Sequence, residues 1–275
     1  PDFVGTDQLA LQRLASRLRA LAATEQRTWD DVLDVIALTR LQAHGDPMLR
    51  LRAALDPRAR STADLLNALC TETDPAVQEV LVWALAQQPD ASDAAIDALP
   101  SADAERRRLL TRLLGKTGGD RAEKVISGLL VDPEDRVVSA AVAAATQLRP
   151  ASAADPITAL LGGGRVADAD LVDALVAIGK PALDPLLAVL ADRDSPGSQA
   201  AAEALGRLGA TLPASQEAIA VALVERVSSG PRDIRLAVVI ALAALGEAGR
   251  ARLVPLASDS DVGGVVRRLL DLHAT

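Results

Sequence analysis

Tyrosine is absent from this chain, phenylalanine occurs once and tryptophan twice, so Phe3, Trp29 and Trp83 carry all its aromatic rings. A core built around large rings is thereby excluded, even though hydrophobic residues make up 49% of the sequence. The apolar content is alanine, leucine and valine, side chains that suit closely approaching helices. Histidine is almost as scarce: His44 and His273 lie far apart, and neither HExxH nor GxSxG occurs. Cys70 has no second cysteine, which excludes an intramolecular disulfide framework and a metal site of its own making. Its plain reading is a small buried helix residue. An excess of positive charge is also missing. The net charge is −8, which argues against a general nucleic-acid binder, although a local basic stripe stays open. No segment reaches the ~18 uninterrupted apolar residues of a membrane span. The most apolar one, residues 234–245, carries Arg235. With no signal peptide visible after Pro1, a cytoplasmic location and no membrane partner are expected.

The 275 residues would accommodate two globular domains or one elongated repeat array, and periodicity favours the array. Residues 179–209 read as a helix over 181–190, a polar turn containing Pro196, and a second helix over about 198–208, with Gly206 and Gly209 suited to its end. With the second helix as template and its anchor at Gly197, matching anchors fall at Val77, Arg106, Val137, Asp170, Ile234 and Val262. Successive anchors are 29, 31, 33, 27, 37 and 28 residues apart. Offsets +3, +4, +7 and +8 from an anchor form one helical stripe. Across seven units 27 of these 28 positions are apolar, Asp173 being the exception, which chance in a half-hydrophobic chain rarely produces.

The segments DPAVQEVLVWALA (74–86), DAERRRLLTRLLGKTG (103–118) and SQAAAEALGRLG (198–209) resemble short bacterial HEAT repeats of the phycobilisome-lyase type. A bacterial source also agrees with basic residues that include only three lysines among 29, a bias of GC-rich coding. The resemblance implies an all-α fold, an α-solenoid (superhelix) of about seven HEAT-like helix pairs. Residues 60–275 would form the continuous array, and residues 1–59, where two amphipathic helices precede an interrupted repeat start at Asp46, an atypical N-terminal helical capping layer.

Chemistry is sparse. Asp168, Asp170 and Asp173 could ligate a hard cation, but carboxylates at a helix start also cap free N–H groups. Asp132, Glu134 and Asp135, and again Asp192 and Asp194, recur at the same place, as capping requires. Gly162-Gly163-Gly164-Arg165 lacks the strand and lysine of a phosphate loop and reads as a flexible inter-repeat turn rather than an anion cradle. No metal or cofactor is expected.

In such arrays the second helices line the concave face. Offsets +2, +6 and +10 point away from the stripe, which selects Glu79, Trp83, Arg108, Arg112, Lys116 and Arg207 as the candidate partner-binding residues. Trp83 beside a basic row has the composition of a binding hot spot, or else it is a core residue. Further along, Leu236, Ile240 and Ala244 form an apolar row suited to self-association. The expected function is a non-catalytic scaffold or adaptor, not an enzyme, holding a protein or peptide of acidic character. The alternative is a module like the HEAT-like DNA glycosylases or bilin lyases, acting on a base or pigment.

Overall fold

The computed structural model describes residues 45, 46, 50, 61–227 and 230–272. Apart from residues 45, 46 and 50, the capping layer expected over 1–59 lies outside the described residues, as do Phe3, Trp29 and both histidines. Among the described residues there are fourteen α-helices and no strand. They follow one another as seven pairs. These are α1 (Thr62–Thr71) with α2 (Pro75–Ala86), α3 (Ala91–Ala98) with α4 (Ala104–Thr117), and α5 (Asp120–Leu129) with α6 (Asp135–Leu148). Then come α7 (Ala154–Thr158) with α8 (Asp168–Ile178) and α9 (Leu183–Ala191) with α10 (Ser198–Thr211). The last two pairs are α11 (Gln216–Val227) with α12 (Arg232–Ala244) and α13 (Gly246–Leu253) with α14 (Gly263–Leu272).

Local chemistry sets the starts. Asp74 accepts the Ala76 and Val77 N–H groups ahead of α2, with Pro75 in the first turn, and Asp103 accepts the Arg106 N–H ahead of α4. The helix expected over 181–190 begins later. Pro181 sits in a 3-10 turn, Lys180–Ala182, and α9 starts at Leu183.

Two compact units divide the chain, residues 1–94 and 95–275, the division falling within α3. In the first, α1 packs on α2. In the second, the inner helices α4, α6, α8, α10, α12 and α14 stack in chain order, while α7, α9, α11 and α13 form an outer row. The stripe carries this stacking. Of its 28 positions, 20 are buried, seven are half-buried, and only Asp173 is exposed. That exception is a register slip of one residue. With Leu171 as anchor instead of Asp170, the buried Ala174, Leu175 and Ile178 take the stripe offsets, and Asp173 moves to the solvent row.

Glycines set how closely the inner helices approach. Gly206 and Gly209 do not end α10, which runs on to Thr211. A Cβ on Gly206 would meet the Ala241 Cα at 2.7 Å, and one on Gly115 would meet the Ala144 Cβ at 2.9 Å. The helices touch through backbone at these points, so each glycine is a contact, not a terminator.

Partly buried ion pairs tie the inter-repeat loops to the helices. The Arg107 Nε and Nη2 donate to Asp132 Oδ2 and Oδ1 at 2.8 and 3.0 Å, and the Glu134 N–H donates to Asp132 Oδ1. Burial alone would push the Asp132 carboxyl up, but the Arg107 guanidinium and the Glu134 N–H outweigh it and hold the carboxyl below the usual range. Arg235 bridges Asp259 and Asp261 in the same way, and in the first unit Arg50 grips Glu72 with both Nε and Nη2.

Candidate functional site

In the first unit, Glu79 and Trp83 lie one turn apart along α2, Gln87 follows just past its end, and all three are exposed. Trp83 is 59% exposed, on the opposite side from the buried Leu81, Val82 and Leu85, so its ring is outside the core. A large aromatic left in water in a chain this poor in aromatics is the most conspicuous surface feature of that unit.

In the second unit, α4 presents Arg108, Arg112 and Lys116 at four-residue spacing. Arg108 is half-buried because its Nε and Nη2 reach back to Glu105, with a shortest contact of 2.5 Å. The Arg108 guanidinium, with Arg136 at 3.6 Å, holds the Glu105 carboxyl below the usual carboxylate range. Arg112 is half-buried and Lys116 exposed. Arg207 on α10 is engaged as well: its Nη2 lies 2.7 Å from Asp173 Oδ1 on α8, and Nη1 lies 3.7 Å from Glu203. Sequence reasoning missed that link because the slipped register had placed Asp173 in the stripe. The clean run Leu171, Ala174, Leu175, Ile178 was the signal that would have found it. On α12 the row Leu236, Ile240, Ala244 is present, with Ile240 58% exposed.

The acidic clusters serve the fold. Asp168 Oδ1 accepts the Gly162 N–H at 2.8 Å, and Asp192 accepts the Asp194 N–H. No group of three or more His, Cys, Asp or Glu side chains among the described residues is placed to hold a metal ion. The glycine run is a packed turn. Gly162 adopts a positive φ of 72°, and a Cβ there would meet the Pro196 carbonyl oxygen at 2.6 Å. Arg165 closes the turn by donating to Asp135 Oδ1 and to the Asp132 and Pro133 carbonyls. Cys70 is half-buried on α1. No helix among the described residues is long and apolar enough to cross a membrane.

One cavity was not foreseen. Ala243 of α12, Gly246, Glu247, Arg250 and Leu253 of α13, and Leu269 and Leu270 of α14 line an open cleft of about 410 Å³. No local motif announces it, since it depends on how far one helix stands from the next.

No protein-family model matches the chain, and no curated protein does. Solved structures do. The complex of CpcE and CpcF of phycocyanin lyase from Nostoc sp. PCC7120 includes a chain 23% identical, with 80% of this chain and 96% of that one covered at a TM-score of 0.41. Human deoxyhypusine hydroxylase in complex with glycerol is 19% identical, with 88% and 95% covered and a TM-score of 0.33. An engineered protein is 20% identical, with 88% and 96% covered and a TM-score of 0.31. Among the described residues the chain is all-α, a succession of helix pairs like those of HEAT-like helical repeats.

The expectation that it is not an enzyme is corrected by the same comparisons, because two of these solved proteins, the phycocyanin lyase and the deoxyhypusine hydroxylase, are enzymes. That expectation rested on missing local motifs. A repeat array assembles sites from side chains on separate helices, where no short spacing reveals them.

Proposed function

We propose that the chain binds a protein or peptide segment through the outward rows of its second helices. Exposure of the Trp83 ring carries this reading: tryptophan is the residue type most enriched among interface anchors, and this one contributes little to its own core. Glu79 and Trp83 supply the row in the first unit. Arg108, Arg112, Lys116 and Arg207 supply rows in the second, and the basic row on α4 favours a segment with acidic residues.

Affinity capture from native cell extract, comparing wild type with Trp83→Ala and with Arg112→Glu, tests the assignment. Each variant is expected to lose at least one bound protein about tenfold or more, equivalent to about 1.4 kcal/mol. Trp83→Ala should keep its helicity and melt within about 0.5 kcal/mol of wild type, as an exposed side chain would. Equal recovery of every bound protein by all three would sink the reading. Loss of folding by Trp83→Ala would place the ring in the core. A light-scattering concentration series separates self-association through Leu236, Ile240 and Ala244 from capture of a different chain.

A further inference from the structure

Arginines that clamp the inter-helix turns and loops do so through carboxylates. Arg50 holds Glu72, Arg107 holds Asp132, Arg165 holds Asp135, and Arg235 holds Asp259 and Asp261. All four are half-buried. Arg226, near the end of α11, is the exception on both counts. It is only 4% exposed, and among the described residues it forms no ion pair. Its Nη2 donates to the Arg193 carbonyl at 3.1 Å and to Ser198 Oγ at 3.3 Å, while its Nε is buried without a partner.

Arg165 is the counterpart that supplies the comparison. Both arginines reach back to the turn inside the preceding helix pair: Nη2 of Arg165 donates to the Asp132 carbonyl ahead of α6, and Nη2 of Arg226 to the Arg193 carbonyl ahead of α10. The Arg165 Nε then donates to Asp135, the first residue of α6, at 2.7 Å. The first residue of α10 is Ser198, whose hydroxyl is engaged with the Ser195 carbonyl at 2.9 Å. Gly197 ahead of it gives the opening N–H groups of α10 no side-chain acceptor. A buried guanidinium and a positive helix end therefore meet at a place where the α6 repeat has a carboxylate. A buried charge left this way is costly until an anion joins it. Asp192 and Asp194 on the same turn are exposed, and Asp192 accepts the Asp194 N–H. Packing fixes the donors: Gly197 and Ser198 are buried, and a Cβ on Gly197 would meet the Leu161 Cβ at 2.6 Å.

We propose that Arg226 and the N-terminus of α10 form a binding site for a small oxyanion, a phosphate or a carboxylate, which accepts the Arg226 Nε–H as Asp135 accepts that of Arg165. Donors held at a helix start select an acceptor-only ligand. Burial of Gly197 and Ser198 selects a small one over a charged polypeptide segment. The site uses no residue of the outward rows, so it and the partner-binding reading can fail separately.

Thermal unfolding of the full-length chain at pH 7 tests the site, with inorganic phosphate or acetate replacing chloride at matched ionic strength. At least one of the two anions, at about 50 mM, should raise the wild-type Tm by about 3 °C, with the logarithmic concentration dependence of a single site. Arg226→Gln keeps a polar group in the clamp without its charge, and should respond by about 1 °C or less. Ser198→Asp supplies the carboxylate that α6 has in Asp135. It should raise Tm in chloride and respond to neither anion, and it serves if Arg226→Gln fails to fold. A response of equal size in wild type and the folded variants, or one linear in concentration, would overturn the proposal as the general effect of such salts on any folded protein. So would a wild type indifferent to both anions. A lowered Tm in Ser198→Asp with the anion response intact would also overturn it, by separating the Arg226 Nε from the start of α10.

Discussion

Gly206→Val should destabilise the chain by about 3 kcal/mol or more, and Gly206→Ala should also destabilise it, although alanine is the better helix former by about 1 kcal/mol. Gly206 lies within α10, where intrinsic propensity asks for any other residue. Its environment decides the sign. An added Cβ would stand 2.7 Å from the Ala241 Cα, 2.9 Å from its Cβ and 3.1 Å from its carbonyl oxygen. These are backbone or near-backbone atoms and cannot swing aside, so α10 and α12 must separate along their contact. Gly128, within α5, is the control, since nothing lies within 4 Å of a Cβ built there. Gly128→Ala should stabilise by about 0.5–1 kcal/mol. Urea unfolding of the three variants beside wild type reads both signs. If Gly206→Ala stabilises as Gly128→Ala does, the close approach of α10 and α12 is wrong.

The same glycines mark where sequence reading succeeds and where it stops. A stripe at +3, +4, +7 and +8 is legible because burial on a helix must repeat at that spacing, and 20 of its 28 positions are buried. Whether a glycine ends a helix or seats another is not local information. Gly206 and Gly209 read as terminators until Ala241 and Leu245 are seen against them. Asp173 shows a second limit. A stripe can be drawn from Asp170 or from Leu171, and the exposure of Asp173 with the burial of Leu175 chooses the second. That one-residue choice hid the Asp173–Arg207 link. Of the binding rows, Trp83 could be placed at an outward offset, but its exposure could not be read, because that depends on what the neighbouring helices cover. The open cleft beside Leu269 had no signature, since its lining comes from three separate helices.

Arg107→Ala should cost about 2–4 kcal/mol at pH 7, and most of that cost should vanish in acid. Asp132 has a side chain only 7% exposed, and two parallel bonds from Arg107 compensate its charge. Removing the guanidinium leaves a buried carboxylate with the Glu134 N–H as its remaining donor in the loop. Burial raises the carboxyl pKa, and in the wild type Arg107 and the Glu134 N–H reverse that and hold it low. A group ionising more readily in the folded than in the unfolded chain contributes stability that is complete above the ordinary aspartate range near pH 4. That contribution disappears as pH falls through the lower native value. Wild type should therefore lose this contribution only below about pH 4. In Arg107→Ala the Asp132 pKa should rise above its wild-type native value, so the gap in unfolding free energy between the two proteins narrows steadily as pH falls from 7 towards 3. A gap independent of pH would mean that Arg107 acts through packing of its aliphatic stem and not through its charge. The cycle of Arg107→Ala, Asp132→Ala and the double variant decides the rest. Because Asp132→Ala removes the carboxylate that Arg107→Ala would strand, the double variant should be more stable than the sum of single losses by about 1 kcal/mol or more. Strict additivity would dissolve the pair as an energetic unit and leave the loop between α5 and α6 held by the Asp132 turn alone.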